Sequence, residues 1–299
     1  MAAPSTSEAR EDGTSRRAIG WALVAVIALP TVAASSALGK DPSSGYGQTA
    51  SLLLLGASLA VAPRSPALSA LRSFIIVWIA YLVADITLHR ILNAAGFFEW
   101  TDRTPKYQWI TIASTLILIP SLVMLVAARA LAFSGSELNV AVGDLRAEGA
   151  IPWSHRRVSW MWIGLLSVAV VVVGAVIVIA LTTSPTQAGL ERSLAWLPVG
   201  VVFGAVNALQ EELRFRLVPL ATLVPAVGAE SALWMTAAIF GLAHWSGSNP
   251  SGPVGVVFAG FGGVWLAKSI LDTNGVAWSW IIHAAGNIAL FTFLTLDAS

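Results

Sequence analysis

The chain contains no cysteine. Disulfides, thiolate nucleophiles and cysteine-ligated zinc are therefore excluded. Charge is scarce as well: Asp, Glu, Lys and Arg make up 11% of the 299 residues, against roughly 25% in soluble globular domains. The formal net charge is only +1 and no basic stripe is present, so nothing in the sequence addresses nucleic acid. No internal repeat is visible, and no low-complexity tract beyond a polar N-terminal tail. Transporters built on inverted repeats leave such a trace.

Apolar sequence fills the space that charge leaves. Hydrophobic residues account for 56% of the chain, and the mean hydropathy is +0.76. Thirteen tryptophans suit aromatic belts at two membrane–water interfaces. Nine apolar segments follow one another, at about 18–38, 47–62, 67–88, 109–133, 159–182, 194–222, 228–246, 253–271 and 275–296. A spanning helix needs roughly 20 apolar residues. The expected fold is an all-α, polytopic integral membrane bundle of eight to nine transmembrane helices. The second segment is the short one. Residues 1–17 are polar with mixed charge and are expected to form a disordered cytoplasmic tail. The segment after Arg16-Arg17 is long for a signal-peptide core and follows acidic residues, so it reads as an uncleaved first helix.

With the N-terminus inside and nine spans, ten Lys/Arg fall on the cytoplasmic side and five opposite. Arg214 and Arg216 remain within the sixth segment. That bias fits a cytoplasmic N-terminus, and a plasma-membrane location is expected. The longest internal loop, 134–158, is expected to be a cytoplasmic linker. It would part the N-terminal helices of 18–133 from a C-terminal portion, 159–299, that holds every candidate site residue.

Those residues are ionisable groups at membrane depth, where one charge costs about 2.5–3.5 kcal/mol on insertion scales and so marks function. The first group is Glu211-Glu212-Leu213-Arg214-Phe215-Arg216. Residues four apart share a helix face. Glu212 and Arg216 can therefore pair, leaving Glu211 on another face with Asn207; Arg214 is an alternative partner for Glu211. Phe240 and His244 share a face of a second helix. His283 and Asn287 share a face of the last, beside Ala284, Ala285 and Gly286, whose small size lets helices approach. A carboxylate, two imidazoles and an amide can activate water and stabilise an oxyanion.

Together these residues resemble the CAAX prenyl protease and bacteriocin-processing family, the type II CAAX endopeptidases. Its two glutamates, three variable residues and arginine are matched by Glu211, Glu212 and Arg216. Its phenylalanine, three residues and histidine are matched by Phe240 and His244. Its histidine, three residues and asparagine are matched by His283 and Asn287. The glycine-rich stretch Gly255 to Gly263 looks like the family's helix between the last two motifs. The likeness covers roughly 194–296. It departs at Leu217, where glycine is usual, and at Arg214, where the family is more often apolar. The resemblance implies an intramembrane endopeptidase acting on a membrane-embedded or lipidated polypeptide. Its catalytic set would be Glu211, Glu212, His244, His283 and Asn287, with Arg216 and Phe240 in support.

Other readings stand beside this one. The same fold serves non-catalytic immunity or scaffold proteins, and buried acids and histidines also serve proton-coupled transporters. Zinc is the alternative to metal-free glutamate chemistry, with Glu211, His244 and His283 as its ligands. The one-helix signature of two histidines around a glutamate is absent, so no cofactor is expected. Asp85 and His89, four apart, read as an interfacial cap or helix contact. His155 reads as solvent- or headgroup-facing.

Overall fold

The computed structural model describes residues 6–37, 45–150, 156–246 and 250–297. The N-terminal half consists of α1 (Thr6–Ala37), α2 (Tyr46–Val61), a short α3 (Pro66–Ala70), α4 (Arg72–Ala94), a short α5 (Phe97–Asp102) and α6 (Lys106–Ala130). A small antiparallel hairpin follows, β1 (Glu148–Ala150) with β2 (Arg157–Ser159), and leads into α7 (Trp160–Thr182). Next come α8 (Gln187–Glu212), a π-helical turn (Leu213–Leu217) and α9 (Val218–Val227), which run on as one rod of 41 residues. The last helices are α10 (Ala229–Ala243), α11 (Gly252–Thr273) and α12 (Ala277–Asp297). The protein is an all-α polytopic membrane bundle.

Among the described residues seven helical runs are long and apolar enough to cross a membrane, and α10 is a shorter apolar helix. Helix directions settle the part played by the 16-residue α2. It runs back along α1: the Ser51 hydroxyl donates to the Ile27 carbonyl (3.2 Å), and Gly47 abuts Thr31. By contrast α10 runs parallel to α1. Gly20 lies against Met235, and beyond the end of α10 the Trp245 indole donates to the Ser36 hydroxyl (2.6 Å). Parallel helices need an odd number of passages between them. The helices α2, α4, α6, α7 and α8–α9 supply five. Without α2 there would be four, and α10 would oppose α1. The described residues therefore traverse the bundle nine times.

One apolar core joins the two halves. Leu23, Phe74 and Trp78 pack in the same cluster as Phe215, Leu217, Met235 and Phe240. The Trp78 and Phe215 rings lie 6.5 Å apart. Outward faces such as Leu166, Val170 and Leu181 of α7, and Val257, Phe258 and Phe261 of α11, are exposed. In a bilayer these faces meet lipid.

The structure differs from the sequence reading at two places. From Thr6 on, the tail expected to be disordered is helical. Its Glu, Ala and Arg residues are adequate helix formers, and Arg16 pairs with Asp12 one turn earlier. Residues 1–5 lie outside the described residues. The segment 134–158 is not a free linker. The Asp144 N–H donates to the Thr273 carbonyl (2.8 Å), the Val276 N–H to the Ala141 carbonyl (2.9 Å), and the Trp278 indole to the Leu145 carbonyl (3.1 Å). Gly143 (φ +80°) lies so close to Gly275 that an added Cβ would stand 2.7 Å from its Cα. The segment thus grips the α11–α12 turn and fixes where α12 begins. Residues 151–155, His155 among them, lie outside the described residues.

Candidate active site

Two features of α8 set the site's position. Along its length Gly200 and Gly204 admit α12: a Cβ at 204 would stand 2.5 Å from Ile288 Cγ1 and 2.9 Å from the Ala284 carbonyl oxygen. At its end the α-helical register gives way to the π turn, in which the Val218 N–H donates to the Leu213 carbonyl five residues back. Pro219 lies immediately beyond. In continuous α register its ring would clash with the Phe215 carbonyl, and the wider turn accommodates it. Single π turns within α-helices are frequent at functional sites. This one begins directly after Glu211 and Glu212.

The two glutamates meet on one histidine. His283 Nδ1 lies 2.7 Å from Glu212 Oε1, and His283 Nε2 lies 3.1 Å from Glu211 Oε2. A ring facing acceptors from both nitrogens can donate to both at once only as imidazolium. The sequence reading offered two imidazoles and an amide for water activation and oxyanion stabilisation without dividing the roles; both nitrogens of His283 are directed at carboxylates. Glu212 also accepts from Arg216 Nη1 (2.6 Å) and from the Ser279 hydroxyl. Its side chain has no accessible surface, and that of Arg216 is 1% accessible. Glu211 keeps 19% of its side chain accessible, which makes it the more open of the two carboxylates.

Glu211 is held from its other side too. Asn207 Nδ2 donates to Glu211 Oε1 (3.2 Å), and Asn207 Oδ1 accepts from the Ser114 hydroxyl of α6 (3.1 Å) and from Gln210 Nε2 (3.3 Å). A residue of the N-terminal half thereby helps to orient the accessible glutamate.

Phe240 knits the remaining motif residues together. Its ring lies 4.6 Å from that of His244, 5.8 Å from that of His283 and 5.2 Å from that of Phe215. The Arg216 guanidinium sits over its face at 4.2 Å. His244 caps the C-terminal end of α10, where its Nδ1 donates to the Phe240 carbonyl (2.9 Å). A carbonyl accepts only, so the neutral ring carries its proton on Nδ1 and keeps the Nε2 lone pair open. Asn287, one turn beyond His283, is buried, and its Nδ2 has no hydrogen-bond partner. A buried amide donor left unpaired is costly, and such a group calls for an explanation.

Two further sequence readings, the zinc alternative and Asp85, can be set against the geometry. Among the described residues no group of three or more His, Asp and Glu is arranged to hold a metal ion. Both nitrogens of His283 face carboxylates in this arrangement. Asp85 is buried, which favours the helix contact of the two roles read from the sequence. It accepts from Gln48 Nε2 of α2 (3.0 Å) and the Tyr81 hydroxyl (3.3 Å), which makes it a helix–helix contact. The sequence reading missed Ser114 and Ser279. For Ser279 a signal existed: positions 279, 283 and 287 share one face of α12.

Residues 193–289 match the family described as type II CAAX prenyl endopeptidase Rce1-like. The matched span contains every motif residue from Glu211 to Asn287. It supports a protease function in general for an integral membrane protein. No curated protein and no solved structure matches the chain.

Proposed function

Starting from the Rce1-like domain of residues 193–289, we propose that this protein is an intramembrane endopeptidase for a membrane-embedded or lipidated polypeptide. One observation carries the reading: two adjacent glutamates share a single imidazole, the inner one saturated and the outer one accessible. Glu211 is the general base. It takes a proton from a water whose other hydrogen is accepted by the open Nε2 of His244. The resulting hydroxide attacks the scissile carbonyl. The unpaired Nδ2 of Asn287 donates to the oxyanion as the tetrahedral intermediate forms. Protonated Glu211 then passes its proton to the leaving amine as the C–N bond breaks. Glu212, Arg216 and Ser279 hold His283, and His283 with Asn207 holds Glu211. The chain lies in the plasma membrane with its N-terminus in the cytoplasm.

The test is cleavage of membrane-anchored peptides, with and without a side-chain lipid, by detergent-purified wild type and Glu211→Gln. The amide is nearly isosteric but takes no proton from water. Loss of general-base catalysis lowers turnover by about 100- to 10,000-fold. Near-wild-type turnover by Glu211→Gln would remove Glu211 from this role. A chelator leaves wild-type turnover unchanged; inactivation reversed by added zinc would make Glu211 a metal ligand. The closed bridge on His283 also favours a second reading, a structural ion network in a non-catalytic member of the fold. On that reading no peptide is cut by either protein.

A further inference from the structure

Arg214 is a cation that the proposed reaction does not use. It lies three residues beyond Glu211, inside the π turn. Its guanidinium rests over the Tyr81 ring at 4.3 Å and the Phe215 ring at 4.5 Å. Both rings are buried, so the guanidinium is packed against the interior of the bundle, and Arg214 as a whole is partly buried. Its Nε is buried without a hydrogen-bond partner, and no described carboxylate lies within ion-pairing distance.

The acids that could have neutralised it are engaged elsewhere. Glu211 accepts from His283 and Asn207, and Glu212 from Arg216, His283 and Ser279. Asp85, whose neighbour Tyr81 stacks on Arg214, accepts from Gln48 and from the Tyr81 hydroxyl itself. Ionisable groups at membrane depth almost always pair with one another or with backbone carbonyls. Here two aromatic faces orient a guanidinium and leave its donors open. A planar fork of this kind matches a carboxylate in two-point fashion.

We propose that Arg214 is a substrate-binding residue that pairs with a carboxylate of the polypeptide being cleaved. This rests on the endopeptidase reading and adds a specificity to it. That carboxylate is either the free C-terminus or an acidic side chain close to the scissile bond. Placement on the helix that carries Glu211, within one turn of it, sets the anion a few residues from the bond that is cut. At most about 3.3–3.6 Å of extended chain separates successive residues.

The test uses three membrane-anchored peptides that differ only in charge: a free C-terminal acid, its C-terminal amide, and the amide with one glutamate near the cleavage site. Binding is measured on Glu211→Gln protein by competition with a fluorescent free-acid peptide, so the readout does not depend on cleavage. Cleavage by the protein with native Glu211 is measured in parallel. One of the two acidic peptides binds about tenfold or more tightly than the plain amide, the size of a charge-assisted hydrogen bond. The acidic peptide that binds better identifies the source of the carboxylate. Adding Arg214→Gln abolishes the preference, and Arg214→Lys retains part of it. Equal binding of all three peptides overturns the proposal, as does a preference that survives Arg214→Gln. Displacement by anionic lipid vesicles instead of acidic peptide assigns Arg214 to lipid and also overturns it. Should Arg214→Gln fail to fold, the three-peptide comparison on Arg214-containing protein still decides. Selective binding without cleavage of any peptide by protein bearing native Glu211 would count against the hydrolytic reading alone.

Discussion

Glu212→Gln is the sharpest test of how the site is held together. Three donors converge on this carboxylate: Arg216 Nη1 at 2.6 Å, His283 Nδ1 at 2.7 Å and the Ser279 hydroxyl. The glutamine amide offers one oxygen and places an NH₂ where the second was. It also removes the only anion paired with Arg216 among the described residues, and Arg216 Nε and Nη2 already lack acceptors. Breaking a buried ion pair by losing one partner costs about 3–5 kcal/mol. The Arg216 stack on Phe240 at 4.2 Å survives and steadies the orphaned cation. The lower end of the range, about 3 kcal/mol, is therefore expected. At about 2–4 °C per kcal/mol for a large domain, the unfolding midpoint drops by roughly 6–12 °C.

The assay is thermal unfolding in detergent followed by tryptophan fluorescence, with Glu211→Gln beside it. Glu211 is partly accessible and its partners among the described residues are His283 and Asn207, so its amide variant melts close to wild type. The double variant Glu212→Gln/Arg216→Met recovers part of the loss, because it removes the stranded charge. The reasoning is refuted if Glu212→Gln melts at the wild-type temperature, or if Glu211→Gln is the less stable of the two.

Two further outcomes follow from the packing. Asn207→Ala and Ser114→Ala each loosen Glu211 without touching the reacting atoms. Peptide turnover falls about tenfold in Asn207→Ala and less in Ser114→Ala, with a shift in the pH profile of kcat/KM and little change in melting; an unshifted profile with full turnover removes them from the site. Gly204→Val drives a branched side chain into Ile288 and the Ala284 carbonyl, the positions flanking His283 and Asn287 on α12. Overpacking of this kind costs about 1–3 kcal/mol and moves α12 off α8; wild-type melting and turnover would show that the seam yields freely.

How much of this was legible in the sequence depends on where each interaction lives. Glu211, Glu212, His244 and His283 stand out because charge at membrane depth is rare and expensive. The Glu212–Arg216 pair follows from four-residue spacing and is present at 2.6 Å. Spacing also holds the clue to Ser279, which lies on the face of α12 shared by His283 and Asn287. It holds none for Ser114, 93 residues from Asn207 and joined to it only by the packing of α6 on α8. The segment 134–158 misleads for a related reason. Its polar composition suggests a tether, while its grip on α12 is made by backbone groups and by Trp278, which pattern does not reveal. Spacing alone also left Glu211 free, because the bridge through His283 depends on how α12 docks against α8.

That docking bears on which part of the chain is the working unit. The family match ends at residue 289 and starts at 193, yet the described site does not close within it. Glu211 is oriented through Asn207 by Ser114 of α6, and Arg214 is oriented by Tyr81 of α4. Phe215, which supports Phe240, packs in turn on Trp78 of α4. Each support comes from a helix of ordinary apolar composition, whose sequence signals only that it is buried. The motif-bearing helices supply the proposed reacting groups, and the N-terminal helices supply walls that fix their directions. A site that must hold two carboxylates and two arginines at membrane depth needs those walls. A misdirected buried charge there would lose its partners, and the packing of the surrounding bundle leaves Glu211 partly accessible while Glu212 is sealed.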